Sequence, residues 1–297
     1  MSPFATDQPE KRSVDLVVLS DVHLGTYGCH AKELIQYLRS IQPKRLVLNG
    51  DIIDIWQFSK KYFPKPHMKV IRELVKIAAS GTPVHYITGN HDEMLRKFAG
   101  FRLGELRIEN KLILNLNGRK AWIFHGDVFD VTMQHARWLT RLGSIGYDLL
   151  ILLNSSVNYC LEKLGREKIS LSKRIKNSVK TAVKFINRFE DTCAGIAIEN
   201  KYDYVVCGHI HQPEIRHMET DEGQVLYLNS GDWVENLTAL EYHEGEWNLY
   251  KHRQNTRGFE IPESEGVNDS MLLDEKALFA MLVTEIQHHP EEIVSHT

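Results

Sequence analysis

The stretch VDLVVLSDVH (14–23) decides the fold. A mostly apolar run of the length of a buried strand ends at Ser20, and two polar side chains, Asp21 and His23, follow it directly. RLVLNGD (45–51) and PVHYITGNHD (83–92) repeat this plan, while residues 31–41 show helical apolar spacing and 67–79 are predicted to be helical. This order of strand, helix, strand, helix, strand predicts an α/β domain with adjacent, mostly parallel strands.

The rest of the chain divides into hairpins, a helical insertion and a tail. Residues 111–127, with a turn at Asn117–Gly118, predict an antiparallel hairpin, as do the stretches 225–232 and 236–252. Between 131 and 199 the pattern becomes helical, and a strand resumes at 202–209, so we predict a main domain over 1–257 that carries a helical cap at 131–199. Residues 258–297, with nine acids and one lysine, form a separate acidic tail.

Composition excludes several classes of protein. The chain has 297 residues, of which 42% are hydrophobic and 25% charged, with a net charge of −3, so it is neither disordered throughout nor globally basic. Its four cysteines are far apart and predict no disulfide framework. No apolar run reaches the ~18–20 residues that span a bilayer, and the first residues are polar. We therefore expect a cytoplasmic protein, with the inner face of the membrane as an alternative site.

Polar motifs recur at the predicted strand ends. They are Asp21-Val22-His23, Gly50-Asp51, Gly89-Asn90-His91-Asp92, His125-Gly126-Asp127 and Gly208-His209-Ile210-His211. All supply Asp, Asn or His, which bind hard or borderline divalent cations, and the absence of thiolates from these motifs argues against a structural zinc site. Alternate residues of an extended segment point the same way, so each D-x-H or H-x-H pair can aim two ligands together. The number of donors exceeds one mononuclear site and suits two metals that share a carboxylate.

The ordered set resembles the calcineurin-like metallophosphoesterase family, whose pattern is D-x-H, GD, GNH-[DE], a lone His and GH-x-H. The resemblance implies a four-layer sandwich, two mixed sheets flanked by helices, and a hydrolase with two divalent metals, Mn²⁺ first and Fe or Zn²⁺ as alternatives. The implied ligands are Asp21, His23, Asp51 and His211 for one metal and Asp51, Asn90, His125 and His209 for the other. The implied catalytic residues are His91, as leaving-group acid or phosphoryl clamp, and Asp92, which would orient its ring.

A narrower resemblance concerns the substrate. GDIIDIW (50–56), HGDVFD (125–130), GHIHQPE (208–214) and NSGDWVE (229–235) are similar to the UDP-2,3-diacylglucosamine diphosphatases of the lipid A pathway. This implies cleavage of an amphiphilic nucleotide sugar to a lipid sugar 1-phosphate and UMP. Asp127, Asp54 and Trp233 are then candidates for supporting the ligands or contacting substrate, although core or turn roles for Asp54, Trp56 and Trp233 stay open.

One residue departs from the pattern of the diphosphatases, so other substrates remain as alternatives. The diphosphatases typically have Arg where this chain has His91, so another phosphodiester or phosphomonoester, small or lipid, is an alternative substrate. An alternative of another class is a catalytically silent metal-binding scaffold. The sequence does not address the oligomeric state.

The segment 163–188 holds nine Lys or Arg residues against one acid. On a helical wheel four lysines share one face, opposite a row of aliphatic residues: Lys173, Lys176, Lys180 and Lys184. This pattern is typical of a helix that lies on anionic lipid, so we expect a membrane surface as a partner. A solvated face that the acidic tail neutralises remains the alternative. Nucleic acid is disfavoured because no aromatic residues are interleaved with the lysines.

Overall fold

A computed structural model describes residues 11–55, 63–129 and 171–253, and the side chains of 171–183 fall outside the description. Three α-helices lie in these ranges: α1 (Ala31–Ser40), α2 (Lys65–Ala79) and α3 (Leu171–Glu199). α1 confirms the helix predicted over 31–41. α2 begins two residues earlier than predicted, directly after Pro64, whose extended backbone precedes the first turn. Among the helices described, none combines the length and the apolar character that crossing a bilayer requires.

The strands of the described ranges form two mixed sheets and a small pair. In chain order they are β1 (Arg12–Val14), β2 (Leu16–Leu19), β3 (Ile41–Pro43), β4 (Leu46–Asn49), β5 (Val84–Ile87), β6 (Arg102–Leu103), β7 (Leu106–Glu109), β8 (Leu112–Leu116), β9 (Arg119–Ile123), β10 (Tyr204–Cys207), β11 (Glu214–Thr220), β12 (Gly223–Asn229), β13 (Thr238–His243) and β14 (Glu246–Lys251). The larger sheet has the order β14-β13-β2-β4-β5-β7-β6, and the smaller has β11-β12-β10-β9-β8. In the larger sheet β2, β4, β5 and β7 are parallel, as predicted for the first three.

The side chains of β2 show how the layers stack. Because successive residues of a strand point to opposite faces, Val17 and Leu19 pack towards α1 and α2, whereas Leu16 and Val18 pack towards the smaller sheet. The other face of the smaller sheet is covered by α3, through Phe189 among others. The order of layers is helices, sheet, sheet, helix. The predicted four-layer α/β sandwich is therefore confirmed.

The C-terminal half of α3 belongs to this sandwich and not to a cap. Phe189, Cys193 and Ala197 are buried against Val205 and Tyr227 of the smaller sheet. The predicted cap at 131–199 therefore extends too far along the chain, because periodicity alone does not show what an amphipathic helix packs against. Most of the predicted cap, 131–170, and the whole of the acidic tail, 258–297, lie outside the described residues.

Two local pairings are absent from the sequence-based prediction. β1 and β3 form a short parallel pair, and β6 and β7 form an antiparallel edge of the larger sheet. These strands are only two to four residues long, too short for apolar alternation to reveal them. The predicted hairpins β8–β9 and β13–β14 are both confirmed by their antiparallel registers.

Candidate metal centre

The carboxyl ends of parallel strands from both sheets meet at one edge of the sandwich. β2, β4 and β5 of the larger sheet end just before Asp21, Asp51 and Asn90, and β9 and β10 of the smaller sheet end just before His125 and His209. The structure groups side chains of these motifs so that their potential ligand atoms lie within 4.8 Å of one another. The groups are Asp21, His23 and His211; His23, Asp51 and His91; and Asp51, His125 and His209. The first and third groups fall within the two ligand sets that the resemblance implies.

The backbone at these turns is unusual. Of the nine non-glycine residues with positive φ in the described ranges, five are implied ligands: Asp21, His23, Asp51, His209 and His211, with φ between 52° and 69°. A left-handed backbone costs an L-residue of order 1–3 kcal/mol where the surroundings impose it. The sharp turns aim the side chains inwards, towards the space between the strand ends. Strain of this kind accumulates at functional sites, and these five residues follow that tendency.

Glycines allow the ligand-bearing turns to pack against one another. A Cβ on Gly89 would lie 2.2 Å from Oδ1 of Asp51, and one on Gly50 would lie 2.3 Å from Nδ1 of His125. A Cβ on Gly208 would lie 2.6 Å from Oδ2 of Asp21. These separations are well inside contact distance. The glycine in each motif is therefore required by the neighbouring turn.

We predict that Gly89→Ala displaces the Asp51 carboxylate and lowers both metal content and phosphodiester turnover by more than tenfold, about 1.4 kcal/mol or more. The clash involves the Asp51 backbone N as well, at 2.7 Å, so a rotamer change does not relieve it. Gly195→Ala is the matched control, since a Cβ there meets nothing within 4 Å and the residue lies in α3. Metal analysis and a Mn²⁺-dependent assay of both variants check the prediction. Unchanged metal binding by Gly89→Ala would contradict it.

Asp51 lies at the centre of the arrangement. Its Oδ1 accepts a hydrogen bond of 2.8 Å from the backbone N–H of His91, and its Oδ2 lies 3.3 Å from Nε2 of His125 and 4.0 Å from Nε2 of His91. Nδ1 of His125 donates to the backbone carbonyl of Asn49 at 2.8 Å. This bond leaves Nε2 as the nitrogen of His125 that can bind a cation.

Asp21 contacts the ligand-bearing turn that follows β10. Its Oδ2 accepts a hydrogen bond of 3.0 Å from the backbone N–H of His209, and its Oδ1 lies 3.2 Å from Nε2 of His211. Nε2 of His23 lies 3.4 Å from Nε2 of His211. Two imidazole nitrogens and a carboxylate oxygen therefore converge on one point, at distances typical of groups that share a cation.

The electrostatics of the buried carboxylates favour cations. Burial alone would raise the pKa of Asp21, but the charge of the neighbouring His211 outweighs burial and lowers that pKa to about 2. The pKa of Asp51 is also lowered, because the neighbouring His125 charge outweighs burial. Conversely, burial opposes protonation of His211, yet Asp21 raises its pKa to about 9. Both carboxylates stay ionised at neutral pH, inside a site with little access to water.

Buried polar atoms without hydrogen-bond partners indicate whether a metal ion fits this site. Within the described ranges, three buried atoms on implied ligands have no hydrogen-bond partner: Oδ1 of Asp21, Oδ1 of Asn90 and Nε2 of His125. An unsatisfied buried polar atom costs about 1–3 kcal/mol, so three in one cleft call for a partner. All three are lone-pair donors that suit a divalent cation of the Mn²⁺, Fe²⁺ or Zn²⁺ type. The residues present fit a metal centre.

His91 lies above this centre but is held by a different acid from the one expected. Its Nδ1 is 2.9 Å from Oδ2 of Asp54, and its ring packs edge-on against His23 with centroids 4.6 Å apart. Burial lowers the pKa of His91, but the hydrogen bond to Asp54 and the Asp51 charge raise it overall. Asp54 therefore orients the ring and leaves Nε2 on the side of the metal centre.

Asp92, expected to orient His91, instead fastens the turn. Its Oδ2 accepts hydrogen bonds from the Tyr86 hydroxyl at 2.6 Å and the Ile52 N–H at 3.0 Å, and its Oδ1 accepts from the Gly89 N–H at 2.6 Å. The expected orienting contact is thus a wrong prediction. Sequence adjacency to His91 suggested it, but in a tight turn neighbouring side chains point apart.

The two remaining candidates for supporting the ligands or contacting substrate, Asp127 and Trp233, have different positions. Asp127 forms an ion pair with Arg96, which joins the turn after β5 to the turn after β9. Trp233, a candidate substrate contact, is completely buried in the core against Tyr37, so its side chain does not reach a substrate. Its backbone N–H donates to the Asp21 carbonyl at 3.1 Å, so its contribution to the centre is through the main chain. Trp56 lies outside the described residues.

Comparison with known proteins decides the family. The model of the calcineurin-like phosphoesterases matches residues 14–213, which include every implied metal ligand. The chain belongs to the calcineurin-like phosphoesterase family. This phosphoesterase is 25% identical to the UDP-2,3-diacylglucosamine hydrolase of Vibrio cholerae (serotype O1, strain El Tor Inaba N16961) over 232 residues, which cover 75% of this chain and 93% of the relative.

The chain is similar to two further proteins. The UDP-2,3-diacylglucosamine hydrolase of Stenotrophomonas maltophilia is 23% identical to the phosphoesterase over 239 residues, 78% of this chain and 96% of the relative. Among solved structures, the E. coli phosphoesterase Yfce matches 80% of this chain and 99% of its own, with 13% identity and a TM-score of 0.40. Family membership and the donor cluster together identify a metal-dependent phosphoesterase, a hydrolase.

Proposed function

We propose that the phosphoesterase cleaves the pyrophosphate bond of an amphiphilic nucleotide sugar such as UDP-2,3-diacylglucosamine, giving a lipid sugar 1-phosphate and UMP. The observation that carries the proposal is the match to relatives named UDP-2,3-diacylglucosamine hydrolase over more than nine-tenths of their length. The donor groups Asp21, His23 and His211 and Asp51, His125 and His209 support the hydrolytic chemistry.

In this proposal the site would hold two divalent cations, Mn²⁺ first, and Asp51 would be a ligand in both donor sets. Asp21, His23, Asp51 and His211 would hold one, and Asp51, Asn90, His125 and His209 would hold the other. Bound there, the cations would supply activation of a water molecule and neutralisation of charge on the phosphoryl oxygens. Asp54 holds Nδ1 of His91, so Nε2 faces the leaving oxygen and donates a proton to it. Asp92 and Asp127 keep the turns that carry Asn90 and His125 in place.

The test is an assay of the purified full chain with UDP-2,3-diacylglucosamine and Mn²⁺, with bis-p-nitrophenyl phosphate in parallel. Release of UMP supports the proposal. Turnover of the chromogenic diester without release of UMP would favour the alternative, another phosphodiester or phosphomonoester as substrate. Absence of turnover on both substrates, with metal bound, would favour a silent scaffold.

A membrane surface is the second part of the proposal, and it rests on α3. The helix is present over Leu171–Glu199, and its buried C-terminal half fixes which end packs on the sheet. Lys184 is exposed, and the sequence places Lys173, Lys176 and Lys180 on the same helical face. We propose that this face, rather than the aliphatic one, contacts anionic lipid headgroups.

We predict that changing Lys173, Lys176, Lys180 and Lys184 to Gln weakens binding to anionic vesicles by about 10²–10³-fold at low salt, since each lysine near the surface contributes about 1 kcal/mol. Vesicle sedimentation at two salt concentrations measures this. A matched variant, with the exposed Lys32, Lys69, Lys111 and Lys120 changed to Gln, should bind as the wild type does. Turnover of the soluble diester should be unchanged in both. A wild-type protein that stays in the supernatant at both salt concentrations would contradict the prediction.

A further inference from the structure

A buried asparagine joins the two sheets at the metal centre. Asn49 is the last residue of β4 and is completely buried. Its side-chain Nδ2 donates a hydrogen bond of 3.0 Å to the carbonyl of Phe124, and its own carbonyl accepts the 2.8 Å bond from Nδ1 of His125. The two bonds run in opposite directions between the same two strand ends. One of these ends belongs to the larger sheet and the other to the smaller.

This reciprocal pair determines how His125 is presented. The carbonyl of Asn49 fixes the tautomer, so Nε2 carries the lone pair, and that atom lies 3.3 Å from Asp51. The side chain of Asn49 fixes the position of the main chain that carries His125. The His125 ring lies so close to the end of β4 that a Cβ on Gly50 would be 2.3 Å from its Nδ1. A small shift of one sheet relative to the other would therefore move Nε2 of His125 relative to Asp51.

The choice of asparagine has a cost that points to this role. Oδ1 of Asn49 is buried and has no hydrogen-bond partner within the described ranges. A leucine has the same number of heavy atoms and a similar branched shape, and it would leave no orphaned acceptor. What the amide adds over leucine is the N–H that holds Phe124. An aspartate would direct a negative charge at that carbonyl instead.

We propose that Asn49 is a positioning residue for His125, and through it for the one metal position formed by Asp51, Asn90, His125 and His209. The inference rests on the ligand sets of the proposed function. It predicts an asymmetric effect: loss of the Asn49 amide weakens that one metal position and leaves the position of Asp21, His23 and His211 intact. A merely structural asparagine would lower stability and leave both metal affinities unchanged.

The experiment compares wild type with Asn49→Leu, which keeps the branched shape of the side chain and removes the donor. Full-length proteins are titrated with Mn²⁺ by calorimetry, and their metal content is measured after dialysis. Wild type should bind two Mn²⁺. Asn49→Leu should bind one with wild-type affinity and the second about 10–100-fold more weakly. Excess Mn²⁺ should restore its turnover of bis-p-nitrophenyl phosphate.

Two further variants make the outcome decisive. Tyr37→Phe removes a buried hydrogen bond of 2.9 Å to Glu241, on an element that carries no implied ligand, and should lower the melting temperature without changing Mn²⁺ binding. Asn49→Ala, which also lacks the donor, replaces Asn49→Leu if the leucine variant fails to fold. Two Mn²⁺ bound with wild-type affinity by a folded Asn49 variant would overturn the inference. A wild-type protein that binds no Mn²⁺ would instead overturn the proposed function.

Discussion

Replacing Asp51 with asparagine is expected to lower turnover by at least about 10³-fold and to release one or both metals. Asp51 is the residue that the two donor sets share, and water activation and charge neutralisation, each worth several kcal/mol, both depend on it. Its Oδ1 is already engaged by the His91 N–H. An asparagine that keeps this bond must therefore direct its NH₂ group at Nε2 of His125, where a cation would have been bound. The variant loses a negative charge and gains an N–H donor at the position where the cation would bind.

The measurement is metal content by mass spectrometry together with the rate of diester hydrolysis at saturating Mn²⁺. Asp15→Asn is the control, because it also replaces a carboxylate by an amide. Asp15 pairs with Lys44 at the other end of β2, away from the metal centre. The control should retain two metals and wild-type turnover. An Asp51→Asn protein with two metals bound and turnover within tenfold of wild type would exclude Asp51 as the bridge.

Much of the fold was predictable because its signals are local. The runs at 16–19 and 46–48 are short and apolar and polar residues follow them at once, and such runs are typical of buried parallel strands. The carboxyl ends of parallel strands share an edge, so the approach of Asp21, Asp51 and Asn90 to one another follows from topology. The approach of the smaller sheet does not follow in this way. It depends on packing between β4 and β9, which only three-dimensional contacts reveal.

The supporting contacts of the site were harder to predict for the same reason. Asp54 was a candidate, but nothing in sequence spacing shows that it, rather than the adjacent Asp92, reaches the His91 ring. The hydrogen bonds of Asn49 to Phe124 and His125 are not predictable from the sequence, because a residue before a G-D pair is indistinguishable from any other strand end. For Trp233 the sequence leaves both a substrate contact and a core position open, because an aromatic residue in a motif is compatible with either. The burial of the Trp233 side chain decides between these two roles, and the sequence alone does not show that burial.

His91→Ala is expected to reduce turnover by about 10²–10⁴-fold while both metals stay bound, because general-acid help contributes on that scale. The variant keeps the backbone N–H that bonds to Asp51, so the bridge itself is undisturbed. Asp54→Ala should give a smaller loss, about 10–100-fold, since the imidazole remains but is no longer held at Nδ1. Both variants should show their deficit mainly in kcat.

The alternative role of His91, as a metal ligand, predicts a different result for the same variant. The side chain also lies in a group with His23 and Asp51 in which ligand atoms are within 4.8 Å, so it is close enough to act as a ligand. A ligand role predicts loss of metal from His91→Ala, with turnover partly restored by excess Mn²⁺. An acid role predicts full metal content and no restoration. His85→Gln, a change at a buried histidine that pairs with Glu109 on the neighbouring strand, controls for the general effect of altering a histidine in β5, and it should change stability without changing kcat.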